Sequence, residues 1–147
     1  MSLKERLAED LKNSMKNKDV VRKNTVQLVR SGILQFEKDN KVVLDDEGVI
    51  DVIAKELKQR RDSLPEFEKS GREDLIEKLH QEMEVLMEYL PKQLTEDELS
   101  EIIKEAIAET GASSIKDMGK VMGIVTAKTK GRADAKLIGV LAKKLLA

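Results

Sequence analysis

The sequence predicts an all-α protein: a helical bundle over residues 1–92, then a small three-helix domain over residues 93–147. Three observations carry this. No segment sustains the two-residue apolar/polar alternation of a strand. Aromatic residues are only 2% of the 147, and the apolar content is mostly Leu, Ile, Val, Met and Ala, which suits helix packing rather than sheets. Capping residues repeatedly stand just ahead of apolar stripes spaced three and four apart.

Each helix can be justified in order. Ser2 with Glu5 makes a capping-box start, and Leu3, Leu7, Leu11 and Met15 follow on one stripe. Asp19 can cap a second helix, whose Val26, Val29, Ile33 and Phe36, or their neighbours, supply the buried face. Lys38 to Gly48 reads as a loop. A third helix then carries Val49, Ile50, Ile53, Leu57 and Leu64, with Pro65 kinking it or marking a short break. Ser70 and Glu73 propose the next start, ahead of Leu75, Ile76, Leu79, Met83, Leu86, Met87 and Leu90, and Pro91 closes it. The segment from Pro91 to Leu94 is the expected hinge.

After the hinge, Thr95 and Glu98 form another capping box before Leu99, Ile102, Ile103, Ala106 and Ile107, and Gly111 is the stop. Ser114 can cap a helix with Met118, Met122, Val125 and Thr129 inward, running to about Gly131. Asp134 caps the last helix, with Leu137, Ile138, Leu141 and Leu145 inward. Glycine is scarce before residue 111 and frequent after it, a shift that also suggests a boundary.

Composition removes several function classes. There is no cysteine, so disulfides and thiolate chemistry are excluded, and with one histidine most imidazole-based triads are too. Glu77 and His80 match the Glu-x-x-His pattern of carboxylate metal bundles, but such sites need two pairs, and Glu77 points away from the Leu79–Met83–Leu86–Leu90 stripe. Asp45-Asp46-Glu47 suits a helix start and lacks calcium-loop spacing. No catalytic residue, metal or cofactor is expected. No apolar run approaches the roughly 20 residues of a membrane span, and the first residues lack the apolar stretch of a secretory signal. The expectation is a soluble cytoplasmic protein.

Two charged regions remain. Glu56-Leu57-Lys58-Gln59-Arg60-Arg61-Asp62-Ser63 places Glu56 with Arg60, and Lys58 with Asp62, at helical pairing distance. It reads either as a solvated, salt-laced face or as a contact face for a partner or for nucleic acid. Residues 112–147 hold eight Lys/Arg, at 116, 120, 128, 130, 132, 136, 143 and 144, against Asp117 and Asp134. That is net +6 in a chain of net −1, so residues 1–111 sum to −7. The basic end is where a polyanion would dock. With Met118, Met122 and Val125 inward, Lys116 and Lys120 project outward, while Lys136 and Lys143 lie opposite Leu141 with Gly139 between them. Glycine on an exposed helical face lets a bulky backbone approach, and the lysines around it supply phosphate contacts. The scarcity of aromatics argues against base stacking, which leaves recognition of a folded RNA by shape and backbone.

The run Asp117-Met118-Gly119-Lys120-Val121-Met122-Gly123, with Lys128 and Lys130-Gly131-Arg132-Ala133-Asp134, resembles the YqeY family. It also resembles the C-terminal tail domain of the tRNA-holding component (the B component) of glutamine-dependent aspartyl/glutamyl-tRNA amidotransferase. Residues 56–63 and Glu88-Tyr89-Leu90-Pro91-Lys92-Gln93-Leu94 match the stand-alone YqeY proteins as well. In the amidotransferase the tail helps hold the tRNA body while other parts do the chemistry. The resemblance therefore implies a non-catalytic tRNA-binding protein, with contacts at Gly119, Lys120, Gly123, Lys128, Lys130, Gly131 and Arg132, and further ones at Lys136 and Lys143. Alternatives are a protein-interaction adaptor docking through the Glu56–Asp62 face, or an accessory component of a carbon–nitrogen ligase complex.

Overall fold

A computed structural model of the chain describes residues 1–147. They form seven α-helices and one short 3-10 turn with no strand, so the protein is all-α. The contacts divide the chain into two units, Met1–Pro91 and Lys92–Ala147, each with its own apolar core.

The first unit consists of α1 (Leu3–Lys16), α2 (Val20–Asn40), α3 (Asp46–Ser70) and α4 (Glu73–Met87). The Ser2 hydroxyl accepts from the Glu5 amide, and the Asp19 and Asp45 carboxylates accept from the amides of Arg22 and Gly48. Each bond satisfies a first-turn donor that has no partner within its own helix. The four helices bury Leu7 and Leu11, Val26, Val29 and Ile33, Val49, Ile53 and Leu57, and Val85 and Leu86, with Tyr89 and Leu90 just beyond α4.

The structure corrects several details of this half. Met15 is 53% exposed, and Ser14 is buried instead, donating its hydroxyl to the Leu11 carbonyl at 2.8 Å. Seven residues past Leu7 bring the helix within about 20° of the same face, whereas eight overshoot it by about 80°. Phe36 is also exposed. The loop expected from Lys38 is helical to Asn40, and Lys41 ends α2 in the left-handed region at φ 52°. Pro65 does not break α3, which runs through it to Ser70. Pro65 is exposed, and Arg61, whose carbonyl loses its amide partner, is only half-buried and outside the core. Ser70 does not start α4: its hydroxyl donates to the Phe67 carbonyl, Gly71 closes α3 at φ 71°, and α4 begins at Glu73.

A polar network fastens the end of α4 to α1 and α2. Tyr89 is buried, its hydroxyl donates to the Asp10 carboxylate, and the Arg6 guanidinium lies 4.6 Å from its ring centroid. Arg22 donates to both Glu88 carboxylate oxygens, at 2.5 and 3.1 Å. Burial, then the bond to anionic Asp10, push the Tyr89 phenol above its ordinary value. A folded pKa above the unfolded one means that this contribution is complete below about pH 10 and is lost as pH climbs toward the folded value. Tyr89→Phe is therefore expected to flatten the alkaline limb of stability against pH, while losing about 1 kcal/mol at neutral pH with the hydrogen bond. Urea unfolding between pH 7 and 11 checks both.

The second unit consists of α5 (Glu96–Thr110), a 3-10 turn at Ile115–Asp117, α6 (Met118–Lys128) and α7 (Ala135–Leu146). The Thr95–Glu98 capping box is formed in both directions, and Gly111 closes α5 at φ 68°. Leu99, Ile103, Ala106, Val121, Val125, Ile138, Ala142 and Leu146 make the core. The inward stripe of α6 is Val121–Val125–Thr129, with Met118 and Met122 only half-buried, rather than the methionine stripe that the spacing suggested. Thr129 tolerates burial because its hydroxyl donates to the Val125 carbonyl at 2.7 Å. In α7 the stripe is Ile138–Ala142–Leu146, and Leu145 is 37% exposed. Ser114 makes no side-chain cap; its carbonyl accepts from the Asp117 amide to close the 3-10 turn.

Candidate nucleic-acid interface

The register of α6 decides what its outer face carries. With Val121 and Val125 inward, Gly123 lies two residues, or about 200° around the axis, from Val125 and so faces almost directly outward. Gly119 precedes it by one turn. Both are exposed, and a Cβ built on either would meet nothing within 4 Å. Glycine inside a helix is about 1 kcal/mol worse than alanine. No packing contact in this unit requires either glycine, so the fold alone gives no reason for them. Lys116, Lys120 and Lys130 are exposed around this bare stretch of helix.

Gly139 is half-buried rather than on the open face, and a Cβ there would meet the Met118 Cε at 3.9 Å, an ordinary contact, so α7 lies against the start of α6 without requiring the glycine. Lys136 and Lys143, three residues before and four after it, are exposed neighbours on the same side of α7. The Gly139–Met118 approach sets α7 against the methionine edge of α6, and by helical register Gly119 and Gly123 lie outward of that edge.

The connection between the two helices is built more than it is displayed. Gly131 takes φ 73°, and its carbonyl accepts from Gln93 Nε2 at 2.7 Å. The Arg132 amide donates to the Thr129 carbonyl at 2.8 Å, its carbonyl accepts from the Leu94 amide at 2.9 Å, and its Nε donates to the Lys92 carbonyl at 3.3 Å. These bonds account for Gly131 and Arg132 structurally. Lys128 reaches Glu109 of α5 at 3.4 Å with both side chains about half exposed, a pairing worth little in solvent. Of the nine residues singled out in the sequence, Gly119, Lys120, Gly123, Lys136 and Lys143 are exposed on α6 and α7. Lys128 and Lys130 are exposed at the end of α6 and just past it, and Gly131 and Arg132 hold the turn.

Helix-by-helix charge redraws the polarity read from the sequence. Within α5 six acids, Glu96, Asp97, Glu98, Glu101, Glu105 and Glu109, face one cation, Lys104, giving −5. With Lys92, residues 92–111 sum to −4, which leaves only −3 for residues 1–91. The acidic and basic poles are thus mostly both inside the second unit. Counting charges by predicted helix, rather than by half of the chain, would have found this.

In the first unit, Arg60 does not offer itself to a partner. It is 13% exposed and donates to Glu56 at 2.9 Å and to Glu82 of α4 at 3.0 Å, which ties α3 to α4. Lys58 and Asp62 form an exposed pair at 3.3 Å. Glu77 and His80 both face solvent, and no group of three or more His, Cys, Asp or Glu is placed to hold a metal ion. No helix is long and apolar enough to cross a membrane.

Comparison with known proteins places this geometry in context. A family model described as Yqey-like protein matches residues 4–146. The chain is 36% identical over 132 residues to "Altered inheritance of mitochondria protein 41, mitochondrial" of Pyrenophora tritici-repentis, covering 87% of this chain and 71% of that protein. It is 46% identical over 84 residues to the protein of the same name in Kluyveromyces lactis, covering 56% of this chain and 45% of that one. The Lachancea thermotolerans protein of that name is 32% identical over 139 residues, with 90% and 74% covered. These names overturn the cytoplasmic expectation. That expectation tested only for an apolar secretory stretch, whereas mitochondrial import signals are amphipathic and rich in Arg and Ser, and such a test does not register them.

Proposed function

The chain belongs to the Yqey-like protein family, and from that premise we propose that it is a non-catalytic tRNA-binding protein that grips the sugar–phosphate backbone. The grip is the outer surface of α6 and α7, in the manner of the tail domain of the tRNA-dependent amidotransferase. The observation that carries this reading is the pair of open glycines, Gly119 and Gly123, whose missing side chains serve no contact in the fold. Between Lys116, Lys120, Lys136 and Lys143 they leave bare helix where a ribose–phosphate chain can lie close, with ammonium groups on either side. Little base reading is expected, because the surface presents no aromatic side chain.

The test is tRNA binding by fluorescence anisotropy across a salt series. If five to seven phosphates are contacted, log affinity falls with log salt at a slope of about −4 to −6, using the duplex coefficient. Lys116/Lys120/Lys143→Ala removes three exposed cations that make no ion pair. It is expected to reduce that slope by about two to three while circular dichroism stays unchanged. Binding that ignores salt, or that is equal in this variant, would refute the reading.

A further inference from the structure

We propose that the corner between α1 and α2 is a second contact for the phosphate backbone of the same RNA, an inference that rests on the tRNA-binding reading above. Residues 12–23 carry Lys12, Lys16, Lys18, Arg22 and Lys23 against the single acid Asp19, a net +4 inside a unit of −3. The local acid is already engaged. Its carboxylate accepts from the Arg22 amide to cap α2 and pairs with the Arg22 guanidinium at 3.4 Å. Arg22 in turn is held by Glu88, so neither residue of that pair offsets the lysines. Lys12, Lys16 and Lys18 are exposed, Lys23 is half-exposed, and none of the four makes an ion pair.

The fold gives these cations little reason to be where they are. Lys12 and Lys16 stand one turn apart on the outer face of α1, where like charges repel by a few tenths of a kcal/mol. Lys18 sits at φ 56°, a left-handed conformation that glycine or asparagine adopts with less strain. Beside it a cavity of about 360 Å³ is lined by Ser14, Met15, Lys18, Asp19, Val20 and Lys23, so Lys18 and Lys23 border one concavity. On its other side Lys18 borders a cavity shared with Glu84 and with the already paired Glu88. Compact, strongly hydrated ammonium groups spread along an edge suit the diffuse charge of a phosphate backbone. The exposed Met15 and Val20 are too few beside them to favour an apolar partner face.

The experiment uses the full chain and bulk tRNA as probe. Wild type, Lys12/Lys16/Lys18/Lys23→Ala, the α6–α7 variant described above, and their combination are titrated across the salt series, with helicity checked for each. Lysine acetylation with and without tRNA is mapped by mass spectrometry. The expected result is a slope reduced by about two to four in the corner variant, with affinity at least about tenfold weaker at moderate salt. Lys12, Lys16, Lys18 and Lys23 should also be protected from acetylation. Wild-type affinity and slope in the corner variant, without protection, while the α6–α7 variant loses binding, would overturn this proposal alone. The corner would then be left to an acidic protein partner. Failure of the wild type to bind tRNA would instead overturn the reading on which the proposal rests.

Discussion

Gly123→Glu is expected to weaken tRNA binding about tenfold to a hundredfold, while helicity stays unchanged and the melting temperature moves by a few degrees at most. The position faces solvent and a Cβ there meets nothing, so the fold has room for the new side chain. A carboxylate on the surface that approaches phosphate adds both bulk and like-charge repulsion, which costs on the order of 1.4 to 2.8 kcal/mol for the stated loss. The companion variant Gly123→Ala sharpens the test. Alanine is about 1 kcal/mol better than glycine inside a helix, so unfolding should become harder while binding weakens modestly. Stability and affinity moving in opposite directions is the signature of a residue kept for what approaches it. If Gly123→Glu binds tRNA like the wild type, the outer surface of α6 is not the grip.

The largest effect on stability is expected at Arg60. Arg60→Met removes the cation that lies between Glu56 and Glu82 and leaves two carboxylates facing one site. All three side chains are less than one-fifth exposed, at 13%, 16% and 18%, so solvent screens the imbalance only in part. Breaking a buried ionic group by deleting one partner costs about 3 to 5 kcal/mol, and the remaining exposure argues for about 3 here. For a unit of this size that is a fall in melting temperature of roughly 12 °C or more. Adding Glu82→Gln should recover part of the loss, because it removes the like-charge contact. Urea unfolding of both variants checks this, and a change below about 0.5 kcal/mol for Arg60→Met would mean that the cluster is effectively solvated. The salt dependence of tRNA binding should not change, since Arg60 belongs to neither of the two basic surfaces.

Much of the fold was legible because helix starts are chemically local. Ser2, Asp19, Thr95 and Asp134 each cap the helix they were expected to cap, since a short polar side chain beside free amides needs no tertiary context. The buried faces were harder. Around α6, Met118–Met122 and Val121–Val125 are both legitimate four-residue stripes, and only packing against α5 and α7 selects the valines. Met15 and Leu145 failed for the same reason, being apolar residues at the edge of a stripe near a helix end. Ser70 could have capped α4, but its hydroxyl donates back to Phe67 at 2.7 Å and accepts only a long bond, 3.4 Å, from the Arg72 amide ahead of the helix. Of the proposed surface, the glycines and lysines were visible as spacing. That Arg132 and Gly131 are spent on long-range hydrogen bonds was not, because their partners lie about 40 residues away.

Those bonds have a practical consequence for dissecting the protein. The Lys92 carbonyl, the Gln93 side chain and the Leu94 amide all hold the turn before α7, although they precede the first helix of their unit. A fragment trimmed to the start of α5 would look complete by its helices and yet lack the clasp that sets the angle between α6 and α7. An autonomous tail must therefore begin at Lys92 or earlier, and protease trimming past Leu94 would unfasten the turn before it touched any helix.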